Sequence, residues 1–237
     1  MTDLSPASRQ QASWTSNATA WTRAVRDGQI ASRRNGTDAA IVEACQVETG
    51  MAVLDVGCGE GWLARALSSR GARVTGIDAC EPLIGTARAA GGAQYEVVDF
   101  DVLSDNRDVV PGPFDVVVCN FALLDEQLVP LLRALSVRLT DSGRVLIQTV
   151  HPFTSFGVEG YQDGWREEQF SAFGDGFSAP MPWYFRTLET WHRTLRDGHL
   201  ALYRLREPRS AEGIVLSMVF ECHAGPDGMD SGSARVR

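Results

Sequence analysis

Val53, Leu54 and Val56 lead directly into three glycines at alternate positions, Gly57, Gly59 and Gly61, with Cys58 and Glu60 between them. The apolar residues are those of a buried inner strand. The glycines have no Cβ, so the backbone can turn sharply there and a ligand can lie against it. A helix expected from about Trp62 to Arg70 offers unpaired N–H groups at its start. Arg73 to Asp78 reads as a second strand ending in a carboxylate, and Asp78 follows Gly57 by 78 − 57 = 21 residues. That is where a ribose-binding acid stands in a Rossmann-like βαβ unit. The chemistry these residues offer is recognition of a nucleoside-containing cofactor.

Two kinds of cofactor fit a glycine turn with a distal acid. The dinucleotide fingerprint G-x-G-x-x-G carries a third glycine for close helix–sheet packing. Trp62 occupies that position here, and the third glycine has moved to Gly61. Asp55 sits at the strand end, near where a pyrophosphate would lie, and its charge would repel one. The same charge favours a ligand bearing a sulfonium and an ammonium.

Leu54-Asp55-Val56-Gly57-Cys58-Gly59-Glu60-Gly61, followed by Gly76-Ile77-Asp78, resembles the S-adenosylmethionine site of class I methyltransferases. The order of elements is similar to the small-molecule group that includes the ubiquinone/menaquinone-biosynthesis enzymes. The resemblance implies S-adenosyl-L-methionine as cofactor, held by Asp55, the turn Gly57-Cys58-Gly59 with Gly61, and Asp78 with Ala79. It further implies that Asp99 accepts from the adenine amino group, that Phe100 covers the ring, and that Asn120 stands in the same crevice. An N-terminal helix folding over the pocket would bring Trp14 and Trp21 to line it. Arg33, or its neighbour Arg34, would hold the cofactor carboxylate by a bidentate contact. Methyl transfer to a small, aromatic or apolar acceptor through oxygen, carbon or nitrogen is the implied activity. A dinucleotide-dependent oxidoreductase and a non-catalytic cofactor-binding module are the alternatives.

These groups need elements to position them. At 237 residues, with 44% hydrophobic and 22% charged residues, the chain suits one α/β domain with an insertion. The expected fold is a Rossmann-like, doubly wound, seven-stranded sheet with an antiparallel last strand. Residues 1–48 form an N-terminal helical cap, with Trp14, Ala18, Trp21 and Val25 on one apolar face and Thr37 capping a second helix, 38–48. Residues 49–150 form the cofactor-binding core. It takes in a helix from Glu81 to Ala90, a strand from Gln94 to Val98, a strand from Phe114 to Phe121, a leucine-striped helix from about Glu126 to Leu139, and a fifth strand from Val145 to Val150 after a turn at Ser142-Gly143-Arg144.

His151 follows that strand into the crevice, where it is read either as a catalytic base or substrate contact, or as a loop histidine fixing the backbone. Residues 151–186 are rich in glycine and aromatics, which favours a substrate lid over disorder. A closing helix from Thr187 and two strands occupy 187–223, and 224–237 reads as a flexible tail.

The net charge of −8 argues against a broad nucleic-acid surface. The five cysteines contain no C-x-x-C pair, which points to reduced thiols in a cytoplasmic protein. No apolar run approaches a membrane span, and four dispersed histidines do not make a metal site. Oligomeric state is not encoded in these features.

Overall fold

The computed structural model describes residues 5–225. Helix α1, Pro6–Arg26, begins at Ser5, whose hydroxyl accepts from the Ser8 N–H. A π-helical turn, Arg33–Thr37, leads into α2, Asp38–Cys45. Thr37 does not cap α2 as its residue type suggests. It is helical itself, and its hydroxyl is buried without a partner. The core then alternates β1 (Ala52–Val56), α3 (Trp62–Ser68), β2 (Arg73–Asp78), α4 (Glu81–Ala90), β3 (Gln94–Val97), α5 (Phe100–Asp105), β4 (Phe114–Asn120), α6 (Val129–Ser136) and β5 (Leu139–Thr149).

Seven strands form one sheet. In spatial order they are β3-β2-β1-β4-β5-β9-β8, where β8 is Leu200–Arg206 and β9 is Met218–Ala224. The first five are parallel, and β9 runs antiparallel to both β5 and β8. The strand order reverses between β1 and β4, and a crevice opens at their carboxyl ends, where open α/β sheets bind ligands.

Alternation along the central strands divides the core into two layers. Leu54, Val56, Val117, Cys119, Val145 and Ile147 pack to one side. Val53, Val116, Val118 and Leu146 pack to the other, against α2 and α3. Each such side chain buried from water contributes about 1.5–3 kcal/mol, so the strand ends that carry the site are among the most firmly held parts of the chain.

Three boundaries differ from the expectation. The third strand stops at Val97 rather than Val98, and Asp99 caps α5 by accepting from the Asp101 N–H. The leucine-striped helix stops at Ser136, and the Ser142-Gly143-Arg144 segment lies inside β5. There the pairing slips, so that Leu139 faces Phe114 while Arg144 already faces Val116. Ala224, assigned to a flexible tail, ends β9; residues 226–237 lie outside the described residues.

The insertion after β5 has structure of its own. A single turn, α7 (Pro152–Ser155), precedes an antiparallel pair, β6 (Gly164–Glu168) and β7 (Met181–Phe185). β7 reaches the segment after β4 through the Tyr184 N–H, which donates to the Leu124 carbonyl at 2.8 Å. Helix α8, Leu188–Asp197, follows, capped by Thr187.

α1 lies along the insertion. The Asn17 amide, fully buried, donates to the Ala179 carbonyl at 2.7 Å and accepts from the Ser178 N–H at 2.8 Å. Ser13 donates to the same Ala179 carbonyl, and Gln10 bridges the Leu124 and Pro182 carbonyls. The buried stripe of α1 is therefore Ser13, Asn17, Ala20 and Ala24 as much as the tryptophan face.

Candidate active site

A cavity of about 520 Å³ lies at the carboxyl ends of β1, β2 and β4. Its floor is the glycine turn. Gly57, Gly59 and Gly61 have φ of 72°, 56° and 83°, which side-chain-bearing residues rarely adopt. Each glycine answers a different neighbour. A Cβ on Gly57 would stand 2.4 Å from the Ala122 Cβ, and one on Gly61 would stand 2.6 Å from the Tyr95 hydroxyl. At Gly59 the nearest atom is Trp21 Nε1 at 3.7 Å, across the cavity.

Asp78 locks this turn to the end of β2. One carboxylate oxygen accepts from the Gly59 N–H at 2.9 Å, and the other accepts from the Cys80 N–H at 2.8 Å. Burial raises its pKa, and those two N–H bonds pull in the opposite direction. A carboxylate has about four acceptor sites, so Asp78 retains capacity toward the cavity it lines. Asp55 lies beneath the turn, 1% exposed, accepting from the Ala64 N–H at the start of α3. Its Oδ2 has no partner, and burial, with Asp78 nearby, pushes its carboxyl up to about 7.

Cys58, Gly59, Asp78, Ala79, Asp99 and Phe100 line one half of the cavity, together with Gly57 and with Asn120, whose Oδ1 is buried and unpartnered. Asp55 and Gly61, both expected at the cofactor, do not line it. They shape the turn from behind.

The roof comes from outside the core. Trp14 and Trp21 of α1 meet edge to face, and both contact Phe170 of the insertion. Arg33 lines the wall, stacked 4.4 Å over the Trp62 ring, with its Nε on Asp38 at 2.9 Å. Arg34 is exposed and donates to the Gly28 carbonyl instead. Glu168, Phe170, Phe173, Met181 and Trp183 complete the roof from the insertion.

His151 stands apart from the residues that line the cavity. It does not reach the cavity. It is 6% exposed, its Nδ1 accepts from the Phe153 N–H at 3.3 Å, and its Nε2 pairs with Glu207 at 3.0 Å. Both ring nitrogens are engaged in holding the chain as it leaves β5, which is the loop-histidine role.

Sequence reasoning did not find Gln10, Phe121, Ala122 or Glu168. Phe121 has φ 53°, turning the chain so that Ala122 abuts Gly57. The signal available for it was the small residue directly after the strand end.

Among the described residues, no group of three or more His, Cys, Asp or Glu side chains is placed to hold a metal ion, and no helix is long and apolar enough to cross a membrane. All five cysteines are buried and free.

Residues 53–143 match a family described as a methyltransferase domain. A ubiquinone biosynthesis O-methyltransferase of Idiomarina loihiensis is 35% identical over 109 residues, covering 43% of this chain and 43% of the relative. The chain thus matches less than half the length of that curated relative. Among solved structures, a 1,6-didemethyltoxoflavin-N1-methyltransferase of Burkholderia thailandensis superposes with a TM-score of 0.66 at 17% identity, covering 95% of this chain and 92% of that one. The magnesium protoporphyrin IX methyltransferase of Synechocystis gives 0.65 at 18% identity, covering 92% and 98%. Residues 53–143 thus resemble a methyltransferase domain, and the chain has the Rossmann-like fold of these solved structures.

Proposed function

We propose that this protein is an S-adenosylmethionine-dependent methyltransferase that encloses a small acceptor between its glycine turn and its aromatic roof. One observation carries the reading. Asp78 is fixed by two backbone N–H groups at the rim of a bare glycine turn, with acceptor capacity left over for a pair of vicinal hydroxyls. The residues present fit the cofactor. Asp78 would take the ribose hydroxyls, Phe100 and Asp99 the adenine, and the turn at Gly57-Cys58-Gly59 the amino-acid end. Arg33 keeps its two terminal nitrogens for the carboxylate while Asp38 holds its Nε.

The bound cofactor supplies an electrophilic methyl group. The chain's own task is to position the acceptor and exclude water. Trp14, Trp21 and Phe170 provide the apolar walls for both. In its ionised form, Asp55 under the turn favours a cationic ligand above it. The named relatives methylate different atoms, oxygen in one and N1 in another, so likeness alone leaves the acceptor atom open.

Calorimetric titration with S-adenosylhomocysteine tests the reading. Micromolar binding is expected, and Asp78→Ala should weaken it by about 1.5–3 kcal/mol, the range for hydrogen bonds to a charged group. Absence of binding to the wild-type chain, or equal affinity for NAD, would defeat it.

A further inference from the structure

The acceptor half of the cavity has a distinctive charge balance. Among the described residues, six carboxylates line the wall (Glu60, Asp78, Asp99, Asp101, Asp125 and Glu168) against one guanidinium, Arg33. The basic groups nearby are already committed. Arg33 gives its Nε to Asp38 and, on the methyltransferase reading, its terminal nitrogens to the cofactor carboxylate, while Arg26 and Arg65 both hold Glu60. Those two arginines neutralise Glu60, and Asp78, Asp99 and Asp101 belong to the cofactor half. In the acceptor half, Asp125 has the buried Arg186 guanidinium close by, donating to its backbone carbonyl.

Glu168 has no such neighbour. It forms no ion pair among the described residues, and its Oε1 accepts from the Phe170 N–H at 2.7 Å. That bond holds the carboxylate at the end of β6, beside the aromatic faces of Phe170 and Trp183 that line the same cavity. Among the described residues, no histidine, lysine or tyrosine lines the wall.

Resting on the methyltransferase reading, we propose that the acceptor is an arylalkyl or aromatic amine, with its nitrogen held by Glu168 and its ring against Trp14, Phe170 and Trp183. The charge flow of the reaction matches this wall. An amine arriving as ammonium docks on Glu168 and releases one proton to water, keeping an N–H bond to the carboxylate. Its lone pair then forms the N–C bond as the C–S bond breaks, and the bonding pair returns to sulfur. The positive charge moves from sulfur to nitrogen, so a negative wall is matched before and after transfer. The product leaves as the protonated methylamine, so one proton is released per transfer.

A carboxylate or phenolate acceptor would instead bring a like charge against Glu168 in a partly desolvated site, which is costly. An alcohol would need a general base, and among the described residues no histidine lines the cavity, His151 being paired with Glu207 outside it. The aromatic faces add cation–π attraction for an ammonium, strongest at tryptophan.

The test uses the full chain loaded with S-adenosylhomocysteine, which separates the two claims. If that ligand does not bind, the methyltransferase reading itself fails. If it binds, arylalkylamines of one to three rings are titrated calorimetrically beside the alcohols and carboxylates on the same frameworks. With S-adenosylmethionine the same compounds are assayed for methyl transfer by mass.

Amines should bind at least 10-fold tighter than their matched acids and be methylated on nitrogen. Glu168→Gln should raise the KM for amines at least 10-fold while leaving S-adenosylhomocysteine affinity within 2-fold. Tighter binding of the acids or alcohols overturns the proposal, as does binding of no amine. Unchanged amine affinity in Glu168→Gln overturns it equally.

Discussion

The floor and the roof of the cavity are made by different means. The floor is backbone. Gly57, Gly59 and the N–H groups of Gly59 and Cys80 are fixed by β1 and β2, whose inward side chains are fully buried. The roof is side chain, with tryptophans from α1 and phenylalanines from the insertion joined through Asn17, Ser13 and Gln10. The matched domain, 53–143, contains the whole floor and none of the roof. A backbone floor tolerates few substitutions and stays recognisable. A side-chain roof can be rebuilt whenever the acceptor changes. The difference teaches where to look for generic and for specific function.

Breaking the floor should cost most. Gly57→Val places a branched side chain at φ 72° and a Cβ against Ala122. Overpacking and backbone strain together should cost about 3–5 kcal/mol, read as a fall in the urea midpoint with loss of S-adenosylhomocysteine binding. A stable variant with normal affinity would show that the floor is not rigid.

The floor also stores electrostatic stress, which a pH series sharpens. The Asp55 carboxyl titrates near 7 when folded and at its ordinary 3.8 when unfolded. Between those values the folded chain holds a proton the unfolded chain has released. Ligand-free stability from this group therefore falls as pH rises from about 4 to about 7, by up to about 4 kcal/mol, and is flat above. Asp55→Asn should remove that slope. Parallel unfolding curves for the two proteins from pH 4.5 to 8 would place the stress elsewhere.

On the roof, Asn17→Ala should cost about 1–3 kcal/mol by stranding the Ser178 N–H and the Ala179 carbonyl. Amide exchange across 171–180 should accelerate at least 10-fold while β1, β2 and β4 stay protected. A drop in S-adenosylhomocysteine affinity as large as that of Asp78→Ala would erase the distinction between floor and roof.

The smallest effect is expected at His151→Ala. Its partner Glu207 is 43% exposed at the side chain, so the pair contributes less than about 1 kcal/mol. Methyl transfer and cofactor affinity should be nearly unchanged. A large loss of turnover with intact affinity would restore a chemical role to the residue.

The legible parts of the sequence are those whose signals are local. β2 and α4 fall where they are expected because Asp78 ends an apolar run and Pro82 sits in the first turn of a helix. α5 was hidden because Asp99 and Asp101 resemble a strand-end turn, and only the N–H bond between them shows a cap. From sequence β5 is expected to start late, at Val145, because Gly143 reads as a turn. In the fold a Cβ at that glycine would stand 2.7 Å from the Phe114 carbonyl oxygen, where the pairing slips.

His151 could not be resolved from sequence because its partner lies 56 residues away, in the loop before β9. The direction of Arg33 depends on Trp62, a contact between a π-helical turn and the first residue of α3 that no local pattern announces.

The bond between Asn17 and Ala179 joins residues 162 positions apart. At a synthesis rate of roughly 5–20 residues per second, α1 waits on the order of ten to thirty seconds for the backbone that satisfies its buried amide. During that interval its tryptophan face has no insertion to close on. The chamber can thus close only after the five parallel strands have been made, and before β8 and β9 complete the sheet.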